Sequence, residues 1–314
     1  EQFRLFHSSA ESFIEHASYP SGLVEYIASY LIQFFSQPYW GAGIVTLLFL
    51  IIGIGMQLIF KRICPRVDMP LAYLLPVLLL LFAGMDLNYH LEGTLAFALT
   101  VWLLNLQIRI TRPLYRIISG GLLSWIIFYL AGPAFVVFAL CSVIYEWHKR
   151  ELPIVYSALL LPVAVLPACY AYFIAHSEPF RILFLPDAYT NHKVEGQPIL
   201  YYAWMALPLL FALACLLGRW KKTVSSIVKG ASVSIQLLVL VIILFQGNEK
   251  YNSPSLAQVK ALDYYSRNKQ WDHILGLQVS SNNNIVSTCF KNMAMAQKGI
   301  LADKGLYHKQ LGNK

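Results

Sequence analysis

Long apolar runs dominate the chain and set its architecture. They fall near residues 43–60, 70–86, 91–107, 116–131, 133–147, 153–175, 200–217 and 229–246, and each approaches the roughly 20 apolar residues that a helix needs to cross a bilayer. The pattern predicts an all-α, polytopic helical membrane bundle of about eight spans. Its weakest point is the stretch Ile117 to Glu146, which reads either as a hairpin of two short helices around Gly132-Pro133 or as one bent helix.

The ends of the chain follow different periods. Leu23, Tyr26, Ile27, Tyr30, Leu31 and Phe34 recur at helical spacing with Glu25, Ser29 and Gln33 on another face, the mark of an amphipathic helix. Pro20-Ser21-Gly22 starts this helix and Pro38 ends it. A shorter aromatic helix around Phe3 to Ile14 precedes it, with His7 and Glu11 at i and i+4. Residues 1–42 are therefore expected to lie in the outer membrane interface or on the bundle roof. Beyond the last run, Ser253-Pro254 opens a polar region in which Leu256, Val259, Leu262 and Tyr265, then Trp271, Ile274 and Leu275, then Ile285, Cys289 and Met293 mark short helices. They resemble a tetratricopeptide-type helical repeat. The expected division is thus 1–42 interfacial helices, 43–246 transmembrane bundle, and 253–314 an outward helical-repeat domain. The chain begins at Glu1 and stops at Lys314, and sequence beyond both ends is expected.

Composition agrees with the run pattern. Of the 314 residues 57% are hydrophobic and only 13% charged, against about 25% charged in an average soluble domain, which excludes a soluble enzyme. The net charge of +8, from 24 Lys and Arg against 16 Asp and Glu, would suggest nucleic acid in a soluble protein. Here twelve of the 24 basic residues sit in alternate connectors: Lys61 to Arg66, Arg109 to Arg116, Lys149-Arg150 and Arg219 to Lys229. By the positive-inside rule those connectors are cytoplasmic. The protein is then expected in a bacterial inner membrane, with both ends on the periplasmic side and no nucleic-acid partner.

Candidate chemistry gathers in the opposite connectors. Asp86 to Glu92 places two carboxylates and His90 at a span boundary, where charged groups are functional candidates by default. Such a set suits a general base or a divalent cation, or simply a solvated loop. The longer segment His176 to Ile199 mixes Arg181, Asp187 and Lys193 with an apolar run, and its cations are suited to a phosphate. Pro76, Pro162, Pro167 and Pro208 lie inside runs, where each frees a carbonyl that a neighbouring helix must satisfy. Cys64, Cys141, Cys169, Cys215 and Cys289 show no metal-ligand spacing. No cofactor is implied, and no specific catalytic signature occurs.

Glu1-Gln2-Phe3, Tyr19-Pro20-Ser21-Gly22, Gln33-Phe34-Phe35 and Gln37-Pro38-Tyr39-Trp40-Gly41, with the spans and the Trp271 region that follow, resemble an uncharacterised multi-pass membrane family of Bacteroidetes. In outline the chain is also similar to GT-C type glycosyltransferases, multi-pass enzymes that use lipid-linked sugar donors. That likeness implies sugar transfer from a polyprenyl-phosphate carrier at the outer face. Asp86 and Glu1 would be the catalytic acids, Arg181, Lys193 and His90 the substrate-binding residues, and any metal is unspecified. The competing expectation is a non-enzymatic membrane anchor that presents residues 253–314 to an envelope protein partner.

Overall fold

The computed structural model describes residues 6–65, 72–86, 88–175, 179–191, 198–219, 226–251, 254–277 and 285–305. Among them every regular element is helical and no strand forms. Two compact units are present, Glu1–Ile243 and Leu244–Lys314.

The first unit contains α1 (Ala10–Ala17), α2 (Gly22–Ile32), α3 (Pro38–Ile63), α4 (Leu75–Gly84), α5 (Leu91–Gln107), α6 (Pro113–Ala131), α7 (Ala134–Lys149), α8 (Ile154–Phe173), α9 (Phe180–Phe184) and α10 (Pro198–Gly218). Helix α11 (Ser226–Tyr251) runs across the boundary between the units. Five stretches, Tyr39–Ile63, Pro113–Ala131, Ile154–Phe173, Pro198–Gly218 and Ser226–Gly247, are long and apolar enough to cross a membrane. The chain is a multi-pass membrane protein.

Every expected span coincides with a helix, but three of the eight are short. Helices α4, α5 and α7 have 10, 17 and 16 residues. At 1.5 Å per residue α5 is about 25 Å long, less than a hydrocarbon core of about 30 Å. Twelve of its 17 residues are buried, because α5 packs against α2, α3, α6 and α7 at once. Its surroundings are protein rather than lipid, so bilayer thickness does not set its length.

The ambiguous stretch is a hairpin. Helix α6 ends at Ala131, Gly132 turns the chain with φ of 63°, and α7 starts after Pro133. Arg116 near the start of α6 meets Glu146 near the end of α7, which only antiparallel helices allow. Close approach is built in at Gly120: a Cβ there would stand 2.6 Å from Gln107 Nε2 and 2.8 Å from a Leu160 methyl.

Proline-freed carbonyls are partly re-satisfied, as a bundle in lipid requires. Pro167 in α8 cannot donate to Val163, and the Trp125 indole of α6 donates to that carbonyl at 2.7 Å instead. Between α3 and α5 the same economy appears without proline. Asn105 Nδ2 donates to the Gly55 carbonyl at 2.8 Å, and Trp102 Nε1 to the Ile51 carbonyl at 3.2 Å.

At the N-terminus two expectations need correction. Helix α1 is capped by Ser9, whose Oγ accepts from Ser12 N at 3.1 Å. His7 precedes the helix, so it shares no helical face with Glu11. Helix α2 turns Val24, Ala28 and Ile32 toward the bundle, with Ala28 and Ile32 against Leu48 and Leu91. Of the stripe read from the sequence, Leu31 packs beside that cluster, Tyr26 lies 5.0 Å from Phe6 and 5.4 Å from Phe13, and Ile27, Tyr30 and Phe34 stay exposed. Both faces of α2 are apolar, and periodicity alone does not choose between them. Pro38 begins α3 rather than only ending α2, since its fixed φ and missing N–H suit a first helical turn.

The second unit contains α12 (Pro254–Arg267), α13 (Trp271–Gly276), α14 (Ile285–Gln297) and α15 (Leu301–Lys304). Leu262, Ile274 and Ala294 form its buried centre, with Tyr265, Trp271 and Phe290 packed around them.

Candidate functional site

Ionisable side chains of the first unit gather at two opposite ends of its helices. At one end the connectors 85–92 and 179–191 are laced together. Tyr89 and Thr190 form an isolated antiparallel bridge, His90 N donates to the Tyr189 carbonyl at 2.8 Å, and Asn191 N donates to the Asn88 carbonyl at 2.9 Å. Two loops about a hundred residues apart thus become one roof.

Side chains then fix the roof to the bundle. Tyr189 donates to the Ala131 carbonyl at the α6 terminus and stacks on Trp204 of α10, with ring centres 5.1 Å apart. Tyr89 and Thr94 share a hydrogen bond of 3.2 Å. Burial pushes both phenols above the ordinary tyrosine range, Tyr89 and Tyr189 alike, so both remain neutral.

The expected site residues are distributed through this roof. Asp86 is buried, and its Oδ1 accepts from Asn88 N at 2.9 Å and from Asn88 Nδ2 at 3.1 Å, which makes it the pivot of an Asx turn. His90 Nδ1 lies 4.0 Å from Glu92 Oε1, beyond hydrogen-bond length. Arg181 reaches Asp187 at 3.5 Å, and Asp187 also accepts from the Tyr201 hydroxyl. The structure therefore brings Asp86, His90 and Arg181 to one end of the bundle, with Asp86 and Arg181 both engaged in local contacts. Glu1 and Lys193 lie outside the described residues. No group of three His, Cys, Asp or Glu side chains among the described residues is placed to hold a metal ion.

At the opposite end stands a constellation that the sequence did not reveal. Arg116 is wholly buried at the start of α6. Its Nε donates to Glu146 Oε1 at 2.5 Å, one Nη to Glu146 Oε2 at 2.9 Å and to Glu151 at 3.0 Å, and the other Nη to the Ile110 carbonyl at 3.2 Å. The guanidinium also lies 5.3 Å from the Tyr145 ring centre. This bidentate geometry ties α6 and α7 to the connectors before α6 and after α7, which makes it a structural clamp. Ser142 Oγ extends the network by donating to Gln107 at 2.6 Å.

Around this clamp further cations collect. Arg62 of α3, Arg109 after α5, and His148 and Lys149 of α7 line one cleft, and Arg219 after α10 donates to the Trp147 carbonyl at 3.1 Å. The alternate connectors that are basic in the sequence are thus gathered at one end in space. Each such residue alone reads as a loop charge. The pairing of Arg116 with Glu146, thirty residues apart, becomes legible only once the α6–α7 hairpin is in register.

No curated protein and no solved structure matches the chain. A family model, described as a family of unknown function, DUF6057, matches residues 1–314. The chain is accordingly a multi-pass member of that family of unknown function.

Proposed function

We propose that the protein is an inner-membrane anchor, with its basic end in the cytosol, that presents the 244–314 unit to a protein partner in the envelope. The observation that carries this reading is the use made of the acidic residues in the roof. Asp86 closes an Asx turn and Asp187 holds Tyr201 and Arg181, so both carboxylates serve loop geometry. The second unit, with its own centre of Leu262, Ile274 and Ala294, is suited to present a surface, as helical repeats do. Basic connectors resist translocation, which puts the Arg116 end inside.

A second reading is favoured by the convergence of the two loops through the Tyr89–Thr190 bridge. In it the protein transfers a sugar from a polyprenyl-phosphate carrier, with Asp86 or Glu1 as base and Arg181, Lys193 or His90 at the carrier phosphate. One experiment separates the two. A strain lacking the protein is complemented with Asp86→Asn or with a chain ending at Gly247, and a photo-reactive residue at Tyr264 reports neighbours. The anchor reading expects Asp86→Asn to complement fully with its crosslinked adduct intact, and the shortened chain to fail. Complementation by the shortened chain together with failure of Asp86→Asn overturns it in favour of transfer.

A further inference from the structure

We infer that the basic end carries a binding site for the phosphate of an anionic phospholipid, between the C-terminal ends of α3, α5 and α7. The cleft there has a volume of about 510 Å³ and is walled by Arg62, Arg109, Lys149, His148 and Tyr145. Its lining is cationic on three sides. Among the described residues no carboxylate pairs with Arg62, Arg109 or Lys149, because Glu146 and Glu151, the neighbouring acids, are committed to Arg116. Lys149 is steadied instead by the Tyr145 ring, 5.7 Å from its Nζ.

Cations at helix C-termini have a simpler explanation, since they answer the helix dipoles. Magnitudes decide against that alone. Three helix ends contribute roughly half a negative charge each, about half of what three full positive charges supply, so a surplus of more than one charge remains for a ligand.

The choice of a lipid rather than a soluble anion rests on what adjoins the cleft. His148 also borders a second cavity of about 880 Å³, lined by Ile117, Ile144, Leu152, Pro153 and Leu216 together with Glu146, Arg150 and Arg219. Its apolar side chains suit an acyl chain, which a free inorganic anion lacks. Basic pockets between membrane helices at headgroup level are the usual seats of anionic lipids. The polar cleft takes the phosphodiester, and the apolar cavity takes the first part of the tail.

The test uses the full chain in phosphatidylcholine nanodiscs doped with phosphatidylglycerol, with retained lipid counted by native mass spectrometry. Arg62→Gln with Arg109→Gln is compared with Arg112→Gln with Lys229→Gln, an equal loss of charge elsewhere. At roughly fivefold per charge, the first pair weakens phosphatidylglycerol retention about 25-fold. The second pair changes it by less than about twofold, since diffuse attraction is screened within a Debye length. Arg62→Lys with Arg109→Lys keeps retention near that of the parent, and because Arg62, Arg109 and Arg112 are exposed and Lys229 is half-buried the fold is preserved. Equal weakening by both Gln pairs, no weakening by either, or competition by inorganic phosphate overturns the inference.

Discussion

Glu146→Gln is the sharpest perturbation of the bundle. The Arg116 and Glu146 side chains are 2% and 3% exposed, whereas Glu151 is 38% exposed. Breaking a buried pair from one side costs about 3–5 kcal/mol, mostly because a buried charge is left behind. After Glu146→Gln the guanidinium keeps Glu151, a half-exposed contact worth up to about 1 kcal/mol, and the Gln carbonyl still accepts one hydrogen bond of about 1 kcal/mol. The expected loss is therefore about 1–3 kcal/mol. Arg116→Met strands the Glu146 carboxylate and should cost about 3–5 kcal/mol. Because each change removes the same pair, the double variant should fall short of additivity by at least about 1.5 kcal/mol. Glu151→Gln should cost less than about 1 kcal/mol. Reversible unfolding in mixed micelles titrated with dodecyl sulfate, followed by tryptophan fluorescence, reads all four. Additive losses, or a Glu146→Gln loss below about 0.5 kcal/mol, would refute the clamp as the device that holds α6, α7 and the following connector in register.

Two further outcomes test other contacts. Trp125→Phe should destabilise by about 1–2 kcal/mol, because it leaves the Val163 carbonyl freed by Pro167 without a donor in an apolar setting. The loss should shrink in a Pro167→Ala background, where the helix supplies its own N–H, and an unchanged loss there would contradict the explanation. Leu262→Ala, at a fully buried position of the second unit, should cost about 2–5 kcal/mol of that unit's stability. Hydrogen exchange should rise in 254–305 while α5 and α7 keep their protection; a rise in both units alike would contradict their separate cores.

Much of this architecture was legible in the chain, because apolar runs and basic connectors report a strong and local constraint. Each expected span has its helix, and three of the four basic connectors supply residues to one cleft. Where local pattern is ambiguous the reading slipped. In α2 the small residues Val24 and Ala28 face the bundle although the larger aromatics dominate the periodicity. Helix α5 runs between the two ends of the bundle with twelve of its 17 residues buried, and because burial in protein and burial in lipid select the same side chains the sequence does not tell an enclosed span from a lipid-facing one. The roof was half legible: Asp86, His90 and Arg181 were placed in loops, but their partners Asn88, Tyr189 and Asp187 were not foreseen. A bridge such as Tyr89 to Thr190, or a clamp such as Arg116 to Glu146, depends on register between distant segments and leaves no local trace.

Sidedness is the claim on which the proposed anchor depends, and it is measured by cysteine labelling in intact spheroplasts with a membrane-impermeant maleimide, in a background without native cysteines. Cysteines placed at Asn191 and Ser18 should react before permeabilisation, and those placed at Arg112 and Arg150 only after it. Labelling of Arg112 and Arg150 positions from outside, with Asn191 protected, would invert the protein in the membrane and contradict the account.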